Sequence, residues 1–178
     1  MNIEKTPLKV DGSYLLAAPF FADHRGGFEV FWEHDLLAST GIQFTPINAH
    51  HSYNLKSGTI RAFHYQAHPH GQAKLVSCVS GRIWDVMVDL RPDSSTRHQW
   101  SATELSPGDG KSVYIPAGCA HGFATLEDNS TVAYLIEGEY VPAASAVIRW
   151  NDPTLNVPWP VDNPILSEKD RTAPFLNP

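Results

Sequence analysis

An all-β fold, an antiparallel sandwich or barrel, is what the sequence predicts, and three observations carry that expectation. Fourteen prolines and twelve glycines break the 178 residues into short pieces. The pieces are rich in Val, Ile, Tyr, Phe and Trp, side chains that suit a pleated, half-buried surface. The breaks carry turn chemistry: Ser80-Gly81, Arg91-Pro92-Asp93, Pro107-Gly108-Asp109-Gly110, Pro116-Ala117-Gly118 and Asp128-Asn129.

In chain order, Gly27 to Trp32 is expected as the first strand. Glu33 to Thr40 has the length and apolar spacing of a short helix, ended by Gly41. Further strands are expected at Gly58 to Gln66, Lys74 to Ser80, Arg82 to Leu90 and Gln99 to Glu104. Ser112 to Ile115, Gly122 to Leu126 and Ser130 to Glu137 complete the set. From Pro142 onward prolines multiply and alternation fades, which predicts a C-terminal tail that wraps over the sheet surface and can carry a site residue. The chain is 42% hydrophobic and shows no internal repeat or low-complexity linker, so residues 1–178 are expected to form one domain around one core.

Charge narrows the function classes. The formal net charge of −6 leaves no broad basic face for nucleic acid or an anionic membrane, so an anionic ligand has to meet a local basic cluster. The opening MNIEKTPLKV lacks the apolar core of a signal peptide, and no stretch approaches the roughly 18 apolar residues of a spanning helix, so a cytoplasmic location is expected. Cys78 and Cys119 are too few for a disulfide framework or a four-thiolate zinc site and read as buried reduced thiols.

Gly110, Pro116, Ala117, Gly118 and His121 reproduce the spacing of the second sequence motif of cupin barrels. On this resemblance the fold sharpens to a cupin double-stranded β-helix (jelly roll) with a short N-terminal helix and a wrapping C-terminal tail. In metal-binding cupins the first motif has two histidines one residue apart, then a glutamate. The nearest match here is His68-Pro69-His70, with Lys74 where the glutamate would stand. An ammonium repels a cation that a carboxylate would bind, so neither metal nor other cofactor is expected. The alternative is a three-histidine site of His68, His70 and His121 with water as fourth ligand, although His68-Pro69-His70-Gly71 reads as a turn. His121 alone reads equally well as a hydrogen-bonded structural histidine.

Without a metal, reactivity must come from titratable side chains, and these are densest around Arg61, His64 and Lys74. The same region resembles the dTDP-4-dehydrorhamnose 3,5-epimerase family, through Asp23-His24-Arg25-Gly26, His51-Ser52, Arg61-Ala62-Phe63-His64-Tyr65-Gln66 and Lys74-Leu75-Val76. The likeness continues through Asp85-Val86-Met87-Val88-Asp89-Leu90-Arg91 and Ile115 to Phe123, then Trp150-Asn151-Asp152-Pro153 and Leu166-Ser167-Glu168-Lys169-Asp170. The resemblance implies epimerisation beside the C4 ketone of a nucleotide-linked 4-keto-6-deoxy sugar. That chemistry needs a base, a partner for the enolate oxygen and an acid on the opposite face of the ring. By resemblance His64 is the base, Asp170 the carboxylate that orients it, Lys74 the cation at the enolate and Tyr134 the acid. Arg25, Glu29, Asn48, Arg61, His121, Glu139 and Lys169 are the implied substrate contacts. A homodimer is implied too, in which the N-terminal segment carrying Arg25 reaches the partner's site.

Read one by one, these residues have blander meanings: His64 a core histidine, Tyr134 a strand aromatic, Lys74 and Arg61 solvated edge charges, Arg25 and Asp170 turn residues. Strict alternation also puts Arg61 and His64 on opposite faces of one strand, so both reach one pocket only if the strand bulges or Arg61 curls over an edge. The family pattern is broken at the short Arg25-Gly26-Gly27-Phe28-Glu29 run, at Asn48, Ala62, Leu135 and Glu139, and in a longer Ser52 to Arg61 loop. Most of these changes fall where the nucleotide would lie. Competing readings are a keto-sugar 3,4-isomerase, a metal-dependent oxygenase and a non-catalytic sugar-nucleotide binder.

Overall fold

The structure, a computed structural model, describes residues 2–176. In chain order the strands are β1 (Glu4–Pro7), β2 (Tyr14–Ala17), β3 (Phe20–Asp23), β4 (Gly26–Glu29), β5 (Asn48–Asn54), β6 (Ile60–Gln66), β7 (Ala73–Ser80), β8 (Ile83–Asp89), β9 (Trp100–Leu105), β10 (Lys111–Ile115), β11 (Cys119–Thr125), β12 (Ser130–Glu137) and β13 (Ser145–Val147). Two short helices, α1 (His34–Ala38) and α2 (Glu168–Thr172), complete the fold. A six-stranded sheet runs β1-β2-β10-β7-β12-β5 and a five-stranded sheet β13-β6-β11-β8-β9, with all neighbours antiparallel. Strands distant in sequence alternate within each sheet, the crossed connection of a jelly roll.

Alternation assigns the layers. Val76 and Cys78 of β7, Val113 and Ile115 of β10 and Val132 of β12 meet Ile83 and Met87 of β8 and Phe123 of β11 in the core between the sheets. The opposite faces are covered as well. Leu37 of α1, with Ile42 and Phe44 after it, packs on Leu16 and Leu75 outside the six-stranded sheet. The tail covers the five-stranded sheet, bringing Ile148, Leu155, Trp150 and Trp159 onto Ile60, Phe63, Val86 and Ala124. Every residue of β11 is consequently buried.

The tail is hydrogen-bonded as well as packed. Phe63 and Ile148 exchange backbone bonds of 2.8 and 3.0 Å, and Ile60 N–H donates to the Ile165 carbonyl at 3.0 Å. Asp152, only 2% exposed, accepts from the N–H groups of Thr154, Leu155 and Leu176 at 2.9, 3.1 and 2.6 Å. The expected wrapping tail is present, and it contains α2, a helix not anticipated from the sequence. Ser167 caps α2, its Oγ accepting from the Asp170 N–H at 3.1 Å.

All eight expected strands occur, with boundaries shifted by a few residues. The first is a correction: β4 stops at Glu29 and pairs only with β3, as a hairpin belonging to neither sheet. The unanticipated strands lack alternating burial. β1 and β3 are exposed throughout, and β5 reads Asn-Ala-His-His-Ser-Tyr-Asn because its inner face meets a polar cavity.

The conflict between Arg61 and His64 is resolved by a bulge. His121 pairs with His64 and Phe123 with Arg61, so three steps on β6 oppose two on β11. Ala62 and Phe63 both join the outer cluster, which turns Arg61 and His64 to the same inner side. Gly122 makes room for the extra residue: a Cβ there would stand 2.5 Å from the Ala62 Cβ and 2.9 Å from the Arg61 carbonyl oxygen. Gly122→Ala is therefore expected to lower stability by about 1–3 kcal/mol, as overpacking does. Urea unfolding measures this, and a change below about 0.5 kcal/mol, the usual range for an unconstrained surface site, would mean that β6 shifts freely.

Candidate active site

Between the sheets, where the apolar core gives way to polar side chains, lies a cavity of about 360 Å³. Its walls follow from register. Lys74 points inward on the same side of β7 as Val76, and its β12 partner Ile136 lies beside it. Tyr134 is two residues from Ile136 on the same face, and His50 of β5 pairs across from Tyr134. Arg61 and His64 enter from the bulged β6, His121 and Phe123 from β11, and Ser167 and Asp170 from the rim at α2.

Two histidine–carboxylate pairs stand here at different depths. His64 Nε2 lies 2.9 Å from Asp170 Oδ1, with the His64 side chain 41% exposed and that of Asp170 4%. The contact is close but not aligned as a hydrogen bond, so Asp170 Oδ1 has no hydrogen-bond partner among the described residues. Deeper in, His121 Nε2 donates to Asp85 Oδ2 at 2.6 Å, both side chains being almost wholly buried. Asp85 Oδ1 also lacks a partner among the described residues. The His121 ring stands edge-on to Tyr134 at 5.9 Å between centroids.

Burial pushes the Lys74 ammonium down to about 8, against the upward pull of Asp85 and Cys119. Burial likewise raises the Tyr134 phenol, reinforced by Asp85 and opposed by the Ser52 hydrogen bond of 3.0 Å and by Arg61. Tyr134 therefore keeps its proton at neutral pH and can give it up as an acid. Arg61 is fixed by Nε donating to Asn54 Oδ1 at 2.8 Å and Nη2 to the Tyr53 carbonyl at 3.3 Å.

His64, Lys74, Tyr134, Asp170, Arg61 and His121 thus line one cavity. Arg25, Glu29, Asn48, Glu139 and Lys169 do not line it within this chain. Arg25 sits at the β3–β4 turn, 78% exposed and 2.6 Å from Asp23. Glu29 ends β4, its carboxyl raised by burial, lowered by the Gly108 amide and raised by Asp109. Asn48 opens β5 opposite Ile136. Glu139 is exposed, with its carbonyl accepting from Gln66 Nε2 at 2.8 Å, and Lys169 lies on the exposed side of α2.

His68 and His70 occupy an exposed turn outside the cavity that His121 lines, so the three histidines do not converge. Cys78 and Cys119 are free and buried, their thiols pushed up by burial to about 11 and about 12. The sequence reading missed His50, and missed the partnership of Asp85 with His121. Asp85 in the middle of Ile-Trp-Asp-Val-Met-Val-Asp was the available signal, since a charge on a buried strand demands a partner.

Proton transfer is the chemistry these groups share, and a jelly-roll cupin with lysine in place of the acidic ligand is suited to acid–base isomerisation. Residues 7–178 match the dTDP-4-dehydrorhamnose 3,5-epimerase family. The chain belongs to that family. It is 39% identical over 171 residues to the dTDP-4-dehydrorhamnose 3,5-epimerase of Mycobacterium tuberculosis, covering 94% of this chain and 84% of that one. It is 36% identical to a dTDP-4-dehydrorhamnose 3-epimerase of Streptomyces niveus, covering 96% and 82%. The crystal structure of a dTDP-4-dehydrorhamnose 3,5-epimerase from Bacillus anthracis with TDP and PPi bound is 37% identical and superimposes with a TM-score of 0.94, covering 98% of this chain and 99% of that one.

The depressed Lys74 value carries a stability consequence. Below about 8 both folded and unfolded chains hold the proton, and the folded state bears the cost of a buried charge. Between about 8 and the unfolded value of roughly 10.4 the unfolded chain binds more protons, so stability rises with pH. Lys74→Met is expected to melt above the parent protein at pH 7, with the gap closing toward pH 10, which calorimetry across that range would check.

Proposed function

We propose that this protein inverts C3, C5 or both in a nucleotide-linked 4-keto-6-deoxyhexose, the nucleotide being dTDP, without a metal. The observation that carries the reading is the placement of base and acid on facing walls: His64 on the five-stranded sheet and Tyr134 on the six-stranded sheet. His64, backed by Asp170, takes the hydrogen beside the ketone. The Lys74 ammonium, with Arg61 nearby, stabilises the enolate oxygen in a site where preorganised charge acts strongly. Tyr134 returns a proton to the other face, which completes inversion. A carbonyl migration would instead carry the proton from C3 to C4 through an enediol, without returning it to the carbon it left.

The same reading extends to the remaining predicted contacts. The β3–β4 hairpin stands apart from both sheets with Phe21 and Phe28 50% and 65% exposed, which supports a homodimer in which Arg25 and Glu29 serve the partner's cavity. Asn48, Glu139, His121 and Lys169 belong to substrate binding in this scheme, within one cytoplasmic catalytic domain. No helix among the described residues is long and apolar enough to cross a membrane.

In deuterated water with a chelator present, dTDP-4-keto-6-deoxyglucose is expected to gain deuterium at C3, C5 or both, read by NMR. Absence of incorporation with dTDP-, CDP- and GDP-linked keto sugars alike would overturn the proposal. His64→Ala is expected to slow exchange at least about 100-fold, the lower range for a general base, while dTDP affinity stays nearly unchanged. Undiminished exchange would remove His64 as the base. Tyr134→Phe is expected to slow inversion more than the first proton loss, and equal slowing would count against its role as acid.

A further inference from the structure

We propose that Asn54 is a positioning residue for this site: its side-chain carbonyl holds the Arg61 guanidinium in place at the cavity, and because that carbonyl is neutral the positive charge stays free for an anion. What the fixed charge does rests on the function proposed above; that Asn54 fixes it does not.

Asn54 closes β5 opposite Ser130 and is 3% exposed. An amide so enclosed is costly unless both of its ends are bonded. Nδ2 donates to the carbonyls of Ser52 at 3.2 Å and Ser130 at 3.1 Å, and Oδ1 accepts from Arg61 Nε at 2.8 Å. The surroundings settle which way the amide points. Two carbonyls on one side demand a donor, and a guanidinium on the other demands an acceptor. An aspartate would set an oxygen against the two carbonyls and neutralise Arg61, and an alanine would leave both sides bare.

The bulge on β6 turns Arg61 to the inner side, and Asn54 determines where its far end comes to rest. Nε–H goes to Asn54 and an N–H of Nη2 to the Tyr53 carbonyl at 3.3 Å, so two adjacent acceptors on β5 fix the plane of the guanidinium. Nη1 is left without a protein acceptor among the described residues, on a side chain that lines the cavity. Arg25, Arg82 and Arg91 each stand against a carboxylate, whereas both acceptors of Arg61 are neutral. Orientation without neutralisation is what a developing oxyanion needs from its partner. Arg61 also pulls the Tyr134 phenol down against its burial, so a cation held here bears on the acid as well as on the enolate.

The first test needs no substrate. In isotope-labelled protein the Arg61 Nε–H resonance, identified by its loss in Arg61→Lys, is expected to exchange with water at least about tenfold more slowly than in free arginine, as a hydrogen bond from a charged group implies. Asn54→Ala is expected to remove that protection. Exchange as fast as in free arginine in the parent protein, or undiminished protection in folded Asn54→Ala, would overturn the proposal. In the deuterium assay Asn54→Ala is expected to slow exchange at least about tenfold with dTDP affinity changed less than about threefold, because a misplaced charge is missed in the transition state more than in binding. Added to Arg61→Ala it is expected to cause almost no further loss, and additive losses would overturn the proposal, Asn54 then merely supporting β5. Should Asn54→Ala not fold, Arg61→Lys decides, since it keeps the charge but has no Nε to be held: activity close to that of the parent would overturn the proposal equally. If no keto sugar exchanges in the parent protein, the functional reading fails while the Arg61 Nε–H measurement still decides the role of Asn54.

Discussion

The five-stranded sheet must be covered on both faces, and much of the molecule follows from how that is done. β11 is buried along its entire length, with Phe123 facing the other sheet and Ala120 and Ala124 facing outward. The outer cover is not a helix, as it would be in an α/β protein, but an irregular tail with few backbone groups that can pair among themselves. Those groups find partners instead on Phe63, on Gly58 and on the Asp152 carboxylate. The same stitches set the course of the tail, so a packing requirement on the outside of the barrel delivers Asp170 to the cavity rim on the inside.

Inside, the barrel tolerates an unusual density of charge. Lys74, Asp170, Arg61 and four histidines crowd a space otherwise bounded by Phe123, Tyr134, Ile136 and Ser167, with Asp85 behind His121. Each burial carries a cost, partly offset by pairing, and the residual imbalance shows in a lysine lowered to about 8 and a tyrosine that resists ionisation. A barrel filled with leucine and valine would be more stable and chemically inert.

Much of this was legible in the sequence, and the gaps have physical reasons. The core strands could be seen because short runs of apolar and β-branched residues bounded by turns mark burial, as in β7, β8 and β12. β5 could not, because His50 and Ser52 face polar space and leave no hydrophobic pattern. His64, Lys74 and Tyr134 were found through motif order, which also brought in Asp170 although nothing local distinguishes it from a helix cap. Asp85 stood inside a recognised motif, but its pairing with His121, 36 residues away, is a fact of register between β8 and β11 that periodicity does not encode. Arg25 and Glu29 illustrate a different gap, since a hairpin outside the barrel takes its meaning from whatever surface it meets.

The bulge on β6 gives the site a history that point substitution alone cannot write. A regular strand of the same composition could present either the guanidinium of Arg61 or the imidazole of His64 to the interior, never both, because one residue of slip exchanges inside for outside. Joining them takes the gain of one residue on β6 together with the loss of a side chain at position 122 across the ladder. Deletion of Ala62 or Phe63 would undo it in one step, sending one of the two polar groups into the apolar layer beneath the tail. Length, more than residue identity, is what this stretch of chain has to preserve.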